Sequence, residues 1–282
     1  MRTVFLQARS RARFGAVWAG LVLALVAGGA LPVAHAREGV EVGGNSAFAQ
    51  LVSAEEVESS SAKEYAKMMA EAAAKNTLVA QNSAQVLRLR TIAQRIIPFV
   101  ADWNSRAKDW RWEVNLINAK DINAFCMPGG KIVFYSGILQ TLKLSDDEVA
   151  MVMGHEIAHA LREHARERMG KTAATGIGAG LLSQILGLGQ VGQTVTNYGA
   201  QLLTLQFSRE NETDADLVGM ELAARAGYDP RAGVSLWKKM DASGGSAPPQ
   251  WLSTHPSSSS RISEIEANLP KVMPLYERAR RK

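Results

Sequence analysis

Apolar positions recur at helical spacing through Val149, Val152, Met153, Ile157, Ala160 and Leu161, following Leu144-Ser145-Asp146-Asp147-Glu148. Ser145 is a good N-cap with Glu148 three residues on, the pairing a capping box needs, and acids in the first turn suit the positive end of the helix dipole. A buried helix over this stretch follows. A second periodic run, Leu217, Val218, Met220, Leu222 and Ala223, predicts another helix with its acidic end first. From about Ser61 to Phe99 the pattern is again helical, with Pro98 near its end. Trp112–Ile117 and Lys131–Ser136 read as strands by their β-branched and aromatic content. Residues 37–58, rich in Gly, Ser and Glu, read as a loose leader. Gly170 to Leu205 is Gly and Ala rich, and reads as an amphipathic helical hairpin (about 170–206) at a cleft edge, a mobile lid or membrane-leaning element. Plain core packing is the alternative. Polar residues interrupt the hairpin, so no window of about 20 residues is apolar enough to span a membrane.

Inside the first helix lies His155-Glu156-Ile157-Ala158-His159. Residues four apart on a helix share a face, so His155 and His159 can hold one metal ion together. Glu156 need not bind the metal and is placed to activate a water as a general base. At about 100° per residue, His164 is turned about 180° from His155. It reads as a surface residue among Arg162, Glu163, Arg166, Glu167 and Arg168. Downstream, Glu212 and Asp216 share a face at the start of the second helix. The pairing suits one carboxylate on the metal and the other hydrogen-bonded to the back of a ligand histidine. An acidic helix start serving only the dipole is the plainer account.

Composition changes this picture little. The formal charge of +5 includes four arginines (Arg2, Arg9, Arg11 and Arg13) ahead of an apolar run from Ala16 to Ala27. The rest is near neutral, which gives no case for nucleic-acid binding. With Ala34-His35-Ala36 after it, residues 1–36 read as a secretory signal peptide cleaved after Ala36, implying a periplasmic protein. An uncleaved membrane anchor is the alternative. Cys126 is the only cysteine, so an internal disulfide is excluded, and it reads as a small buried hydrophobe.

Four blocks carry a family resemblance: Asn123–Gly130 with its following strand, the His155–His159 helix, the Glu212–Asp216 helix, and Ser253-Thr254-His255-Pro256 followed by Arg261-Ile262. In this order they resemble the zinc metallopeptidases of peptidase family forty-eight, which holds HtpX-like proteases, CAAX prenyl proteases and periplasmic BepA-type quality-control proteases. The resemblance implies an α+β fold: a mainly helical zincin-like metallopeptidase domain (59–282) with a small mixed or antiparallel sheet beside the active-site helix. No repeat domain is expected after it. It also implies His155, His159 and Glu212 as ligands of one Zn2+ per subunit, Glu156 as catalytic acid/base and Asp216 as a partner of a ligand histidine. Apart from the resemblance, Asn123 to Met127 lies between the two strands, and Asn123, Ala124 and Phe125 read as an edge strand that pairs with an extended substrate; an internal strand is the alternative.

His255 is less settled. It could stabilise the transition state, occupy the zinc's open position and restrain activity, or hold its loop to the next helix. Arg261 could join the same cluster. The implied function is an exported zinc-dependent endopeptidase using a zinc-activated water, with unfolded or misassembled envelope proteins as substrates and a peripheral membrane contact through the hairpin. A periplasmic chaperone or assembly factor on the same scaffold, and a zinc hydrolase of non-peptide amides, are the competing functions. The sequence gives no oligomeric state.

Overall fold

In the computed structural model, which describes residues 37–175, 206–243, 250–256 and 259–281, the first long helix, α1 (Ala54–Ala74), starts at Ser53, whose hydroxyl accepts from the Glu56 amide. Glu55 and Glu56 lie in its first turn, where acids suit the dipole. The helical stretch expected over 61–99 is two helices. Asn76 takes a left-handed conformation (φ 55°), which asparagine tolerates better than most residues. Leu78 then bridges to Ile117, and a new helix, α2 (Ala84–Ile96), begins at the Ser83 cap. Two 3-10 turns, Ile97–Asp102 and Ser105–Asp109, lead to the sheet.

Strands β1 (Glu113–Ile117), β2 (Ala124–Met127) and β3 (Lys131–Tyr135) form one sheet in the order β1-β3-β2. β1 and β3 run parallel, with Glu113 opposite Lys131. β2 and β3 run antiparallel, with Ala124 opposite Phe134, so the sheet is mixed and β2 is an edge. Gly129 and Gly130 turn the β2–β3 hairpin at φ 85° and 78°, a region closed to most side chains. Strand alternation divides the sheet into two faces. Ile117, Met127 and Val133 pack with Tyr65 and Ala72 of α1. Val114, Leu116, Cys126, Ile132 and Phe134 join the main core on the other side.

That core surrounds α4 (Asp146–Leu161), reached through the short α3 (Ser136–Thr141). The capping box forms as the sequence predicts: Ser145 Oγ accepts from Glu148 N (3.2 Å) and Glu148 Oε2 accepts from Ser145 N (2.8 Å). Every residue of α4 from Glu148 to Leu161 is buried. Helix α5 (His164–Ala174) follows after a break. Beyond it come α6 (Arg209–Arg225), α7 (Ala232–Ser243), the short α8 (Gln250–Thr254) and α9 (Ser259–Ala279). Helix α6 crosses α4 and is backed by α9.

Residues 37–58 are not a loose leader. Val40, Ala49, Val52 and Val57 are buried. The Val40 amide donates to the buried Glu221 (2.8 Å), Arg37 pairs with the same carboxylate, and its guanidinium lies 3.7 Å over Trp103. The turn at Ala47–Leu51 packs on α5, so close that a Cβ on Gly170 would strike the Phe48 carbonyl. Four apolar anchors and an ion pair outweigh the Gly and Ser content from which looseness was inferred. Most of the expected hairpin, 176–205, lies outside the described residues, as do 1–36. No described helix is long and apolar enough to cross a membrane.

Candidate metal centre and cleft

His155 and His159 project from the same side of α4, and their Nε2 atoms approach to 3.1 Å. Glu212, in the first turn of α6, brings its carboxylate to 3.5 Å from each of them. The Nδ1 atoms turn outward. That of His155 faces Asp216 Oδ1 (3.0 Å), and that of His159 faces His164 Nδ1 (2.9 Å). With each Nδ1 hydrogen given to its backing group, both Nε2 lone pairs and the Glu212 oxygens aim at one point. Three buried acceptors facing one another need a cation between them. Two imidazoles and a carboxylate are the donor set zinc takes, so the residues fit that metal.

His255 adds a fourth donor. It is 3% exposed, and Nδ1 lies 3.2 Å from His155 Nε2 and 3.1 Å from Glu212 Oε1. Among the described residues, His155, His159, Glu212 and His255 form the group able to hold a metal ion, with their donor atoms all within 4.8 Å. Glu156, also 3% exposed, accepts from Trp251 Nε1 (2.7 Å), and His255 Nε2 lies 3.6 Å from the same oxygen. Trp251 and His255 come from α8 and the residue after it. Sequence reasoning did not single out Trp251; its only signal was a place four residues before His255.

Arg261 closes the cluster from below. Its Nε and one terminal nitrogen grip Asp216 at 2.6 and 2.8 Å, its other terminal nitrogen lies 2.7 Å from Glu212, and the guanidinium stacks 3.8 Å over Trp237. These charges set the titration of the cluster. Burial opposes charging His155, but Asp216 and Glu212 outweigh it and push its pKa up to about 9. Burial lowers His159 well below the ordinary range, with only partial relief from Glu212. Both carboxylates stay below their usual pKa despite burial. Glu212 is held down by His255 and His155, and Asp216 by Arg261 and His155.

His164 is not a surface residue. It is 2% exposed and contacts His159. Helix α4 stops at Leu161 and α5 starts at His164, with Glu163 between them at φ 57°. The chain turns there, so a 100° periodicity carried through it fails. Neither Gly nor Pro marks the break, and the sequence offered no signal for it.

The cleft beside the cluster is lined by Asn123, Ala124, Phe125, Tyr135 and Phe207, among others. Phe207 stacks on His159 with ring centroids 4.0 Å apart. Asn123 precedes β2, and its carbonyl accepts from Tyr135 N. Cys126 lies in β2 on the face toward the core, and burial raises its thiol pKa well above normal, as an inert side chain requires.

A model of peptidase family M48 matches residues 83–269, which hold the sheet, both metal-site helices and His255. The chain belongs to peptidase family M48. M48 metallopeptidases use zinc, in agreement with the donor set. The chain is similar to the mitochondrial metalloendopeptidase OMA1 of Arabidopsis thaliana, 42% identical over 150 residues (53% of this chain, 30% of that protein). It is 39% identical over 170 residues to OMA1 of Schizosaccharomyces pombe (59% of this chain, 49% of that protein). With the beta-barrel assembly-enhancing protease of Escherichia coli it shares 34% over 173 residues (57% and 35%). The chain thus spans half or less of each of these M48 relatives. The periplasmic location expected from the N-terminus does not stand. The OMA1 relatives, matched at up to 42% identity, are mitochondrial. The anchored alternative rested on the same residues, 1–36, which lie outside the described structure.

Proposed function

We propose that the chain is a zinc-dependent endopeptidase in which His155, His159 and Glu212 hold the metal and Glu156 is the general base and acid. The convergence of two outward-backed histidines and a buried carboxylate on one point carries this reading. Zinc bound there would supply a Lewis acid that polarises the scissile carbonyl and lowers the pKa of water. Glu156, beside the first ligand, takes the proton of the attacking water and returns it to the departing amine. Asp216, clamped by Arg261, fixes the ring of His155. The edge strand from Ala124 supplies main-chain partners for an extended peptide, and Asn123 and Phe125 flank it. Main-chain pairing tolerates many sequences, which suits unfolded or misassembled polypeptides as substrates. A narrower class, β-barrel proteins in assembly, draws on the name of the Escherichia coli relative, a beta-barrel assembly-enhancing protease.

His255 restrains this activity in the arrangement described. With zinc held by His155, His159 and Glu212, His255 would occupy the position that catalysis needs left open. Its Nδ1 lies among the donor atoms, so α8 must move for substrate to enter. Peptidase assays of His255→Ala on an unfolded protein substrate test this. Raised cleavage supports restraint, while lost cleavage with intact fold assigns His255 to catalysis.

A further inference from the structure

The two ligand histidines are backed by different groups. His155 Nδ1 meets a carboxylate, whereas His159 Nδ1 meets another imidazole, His164 Nδ1, at 2.9 Å. His164 is fully enclosed and oriented in turn: its Nε2 lies 3.1 Å from Asp214 Oδ2, and the same oxygen accepts from Arg162 Nε at 2.7 Å. Arg162 also donates to the Gly43 carbonyl. A carboxylate on His164 Nε2 fixes the proton there and leaves Nδ1 as an acceptor. His159 must then carry its proton on Nδ1 and present the Nε2 lone pair to Glu212 and His155.

We propose that His164 is a positioning residue for the metal site: held by Asp214, it fixes the tautomer and ring orientation of His159, and so contributes to zinc affinity. The proposal rests on the reading of His159 as a ligand. The turn at Glu163 exists in this geometry to bring the first residue of α5 back against α4. Outer hydrogen bonds of this kind typically change metal affinity about 10–100-fold.

The test is zinc affinity, measured on the metal-stripped full-length chain by competition with a chromogenic chelator, with Co(II) absorption as a second readout. His164→Ala is expected to raise the zinc Kd by at least about tenfold and to shift the visible bands of the Co(II) form. His164→Gln, whose side-chain oxygen can accept from His159 Nδ1, should recover part of the affinity. If His164→Ala does not fold, Asp214→Asn decides the matter, with a several-fold weaker Kd expected. An unchanged Kd and Co(II) spectrum in the folded variant overturn the proposal while leaving the metal site intact. A parent chain that takes up no zinc overturns the ligand reading beneath it.

Discussion

Gly154 and Gly219 meet backbone to backbone where α4 crosses α6. A Cβ on Gly154 would lie 2.5 Å from the Gly219 carbonyl oxygen, and one on Gly219 would lie 2.5 Å from His155 N. This contact sets the distance between the helix bearing both histidines and the helix bearing Glu212. Gly219→Ala gains about 1 kcal/mol of helix propensity but forces two backbones apart, an overpacking cost of about 1–3 kcal/mol. Net destabilisation in urea, together with weaker zinc binding, is the expected outcome. A stabilised variant with unchanged zinc affinity would show that the crossing has room.

Arg261 bridges two buried carboxylates, Glu212 and Asp216. Replacing it with Met leaves both charges without that partner, a loss of about 3–5 kcal/mol for a broken buried pair. Denaturant unfolding of the metal-stripped protein should show the full loss. Zinc should restore part of it by mass action on the folded state. Arg261→Lys should rescue little, since an ammonium cannot reproduce the two-nitrogen grip on Asp216 or the stacking on Trp237.

Much of the site was legible because its signals are local. The His155–His159 spacing, the Ser145 cap and the Glu212–Asp216 pairing are each set within one helix. The resemblance supplied the ligand roles and the mixed sheet. What sequence missed lies between elements. Glu163 turns the chain without Gly or Pro, and Trp251 reaches Glu156 from a distant helix. In residues 37–58 the Gly and Ser content masks what holds the segment down: the spaced apolar residues Val40, Val52 and Val57, and the Ser53–Glu56 cap. The N-terminal segment suggested a compartment that the similarity to mitochondrial relatives contradicts.

Glu148 makes stability depend on pH. Burial works against its charge, but Lys239, the Ser145 amide and Ser235 outweigh it, so its folded pKa lies below 4.5. A depressed carboxylate stabilises fully above its unfolded pKa and loses that contribution as pH falls through the folded value. Glu148→Gln should therefore be less stable than the parent at pH 7. The difference from the parent should shrink below about pH 4. Urea titrations across pH check this, and a gap that widens on acidification contradicts it.

Trp251 and His255 hold the same short helix over Glu156 and the metal site. If α8 restrains activity, Trp251→Phe removes a hydrogen bond to a charged group, a loss of about 1.5–3 kcal/mol. Peptidase activity should rise by about tenfold, close to what 1.4 kcal/mol corresponds to. Combined with His255→Ala, the gain should be less than multiplicative, because both release one element. A fall in kcat for Trp251→Phe would instead make the indole part of the catalytic arrangement.

The pentapeptide His155-Glu156-Ile157-Ala158-His159 is tested most directly by Glu156→Gln, with zinc content and cleavage of an unfolded polypeptide measured on the same sample. The predicted result is one zinc per chain, an unchanged fold and cleavage reduced by at least about 100-fold, as expected on losing a general base. Zinc-loaded Glu156→Gln protein that cleaves at the parent rate would contradict the account.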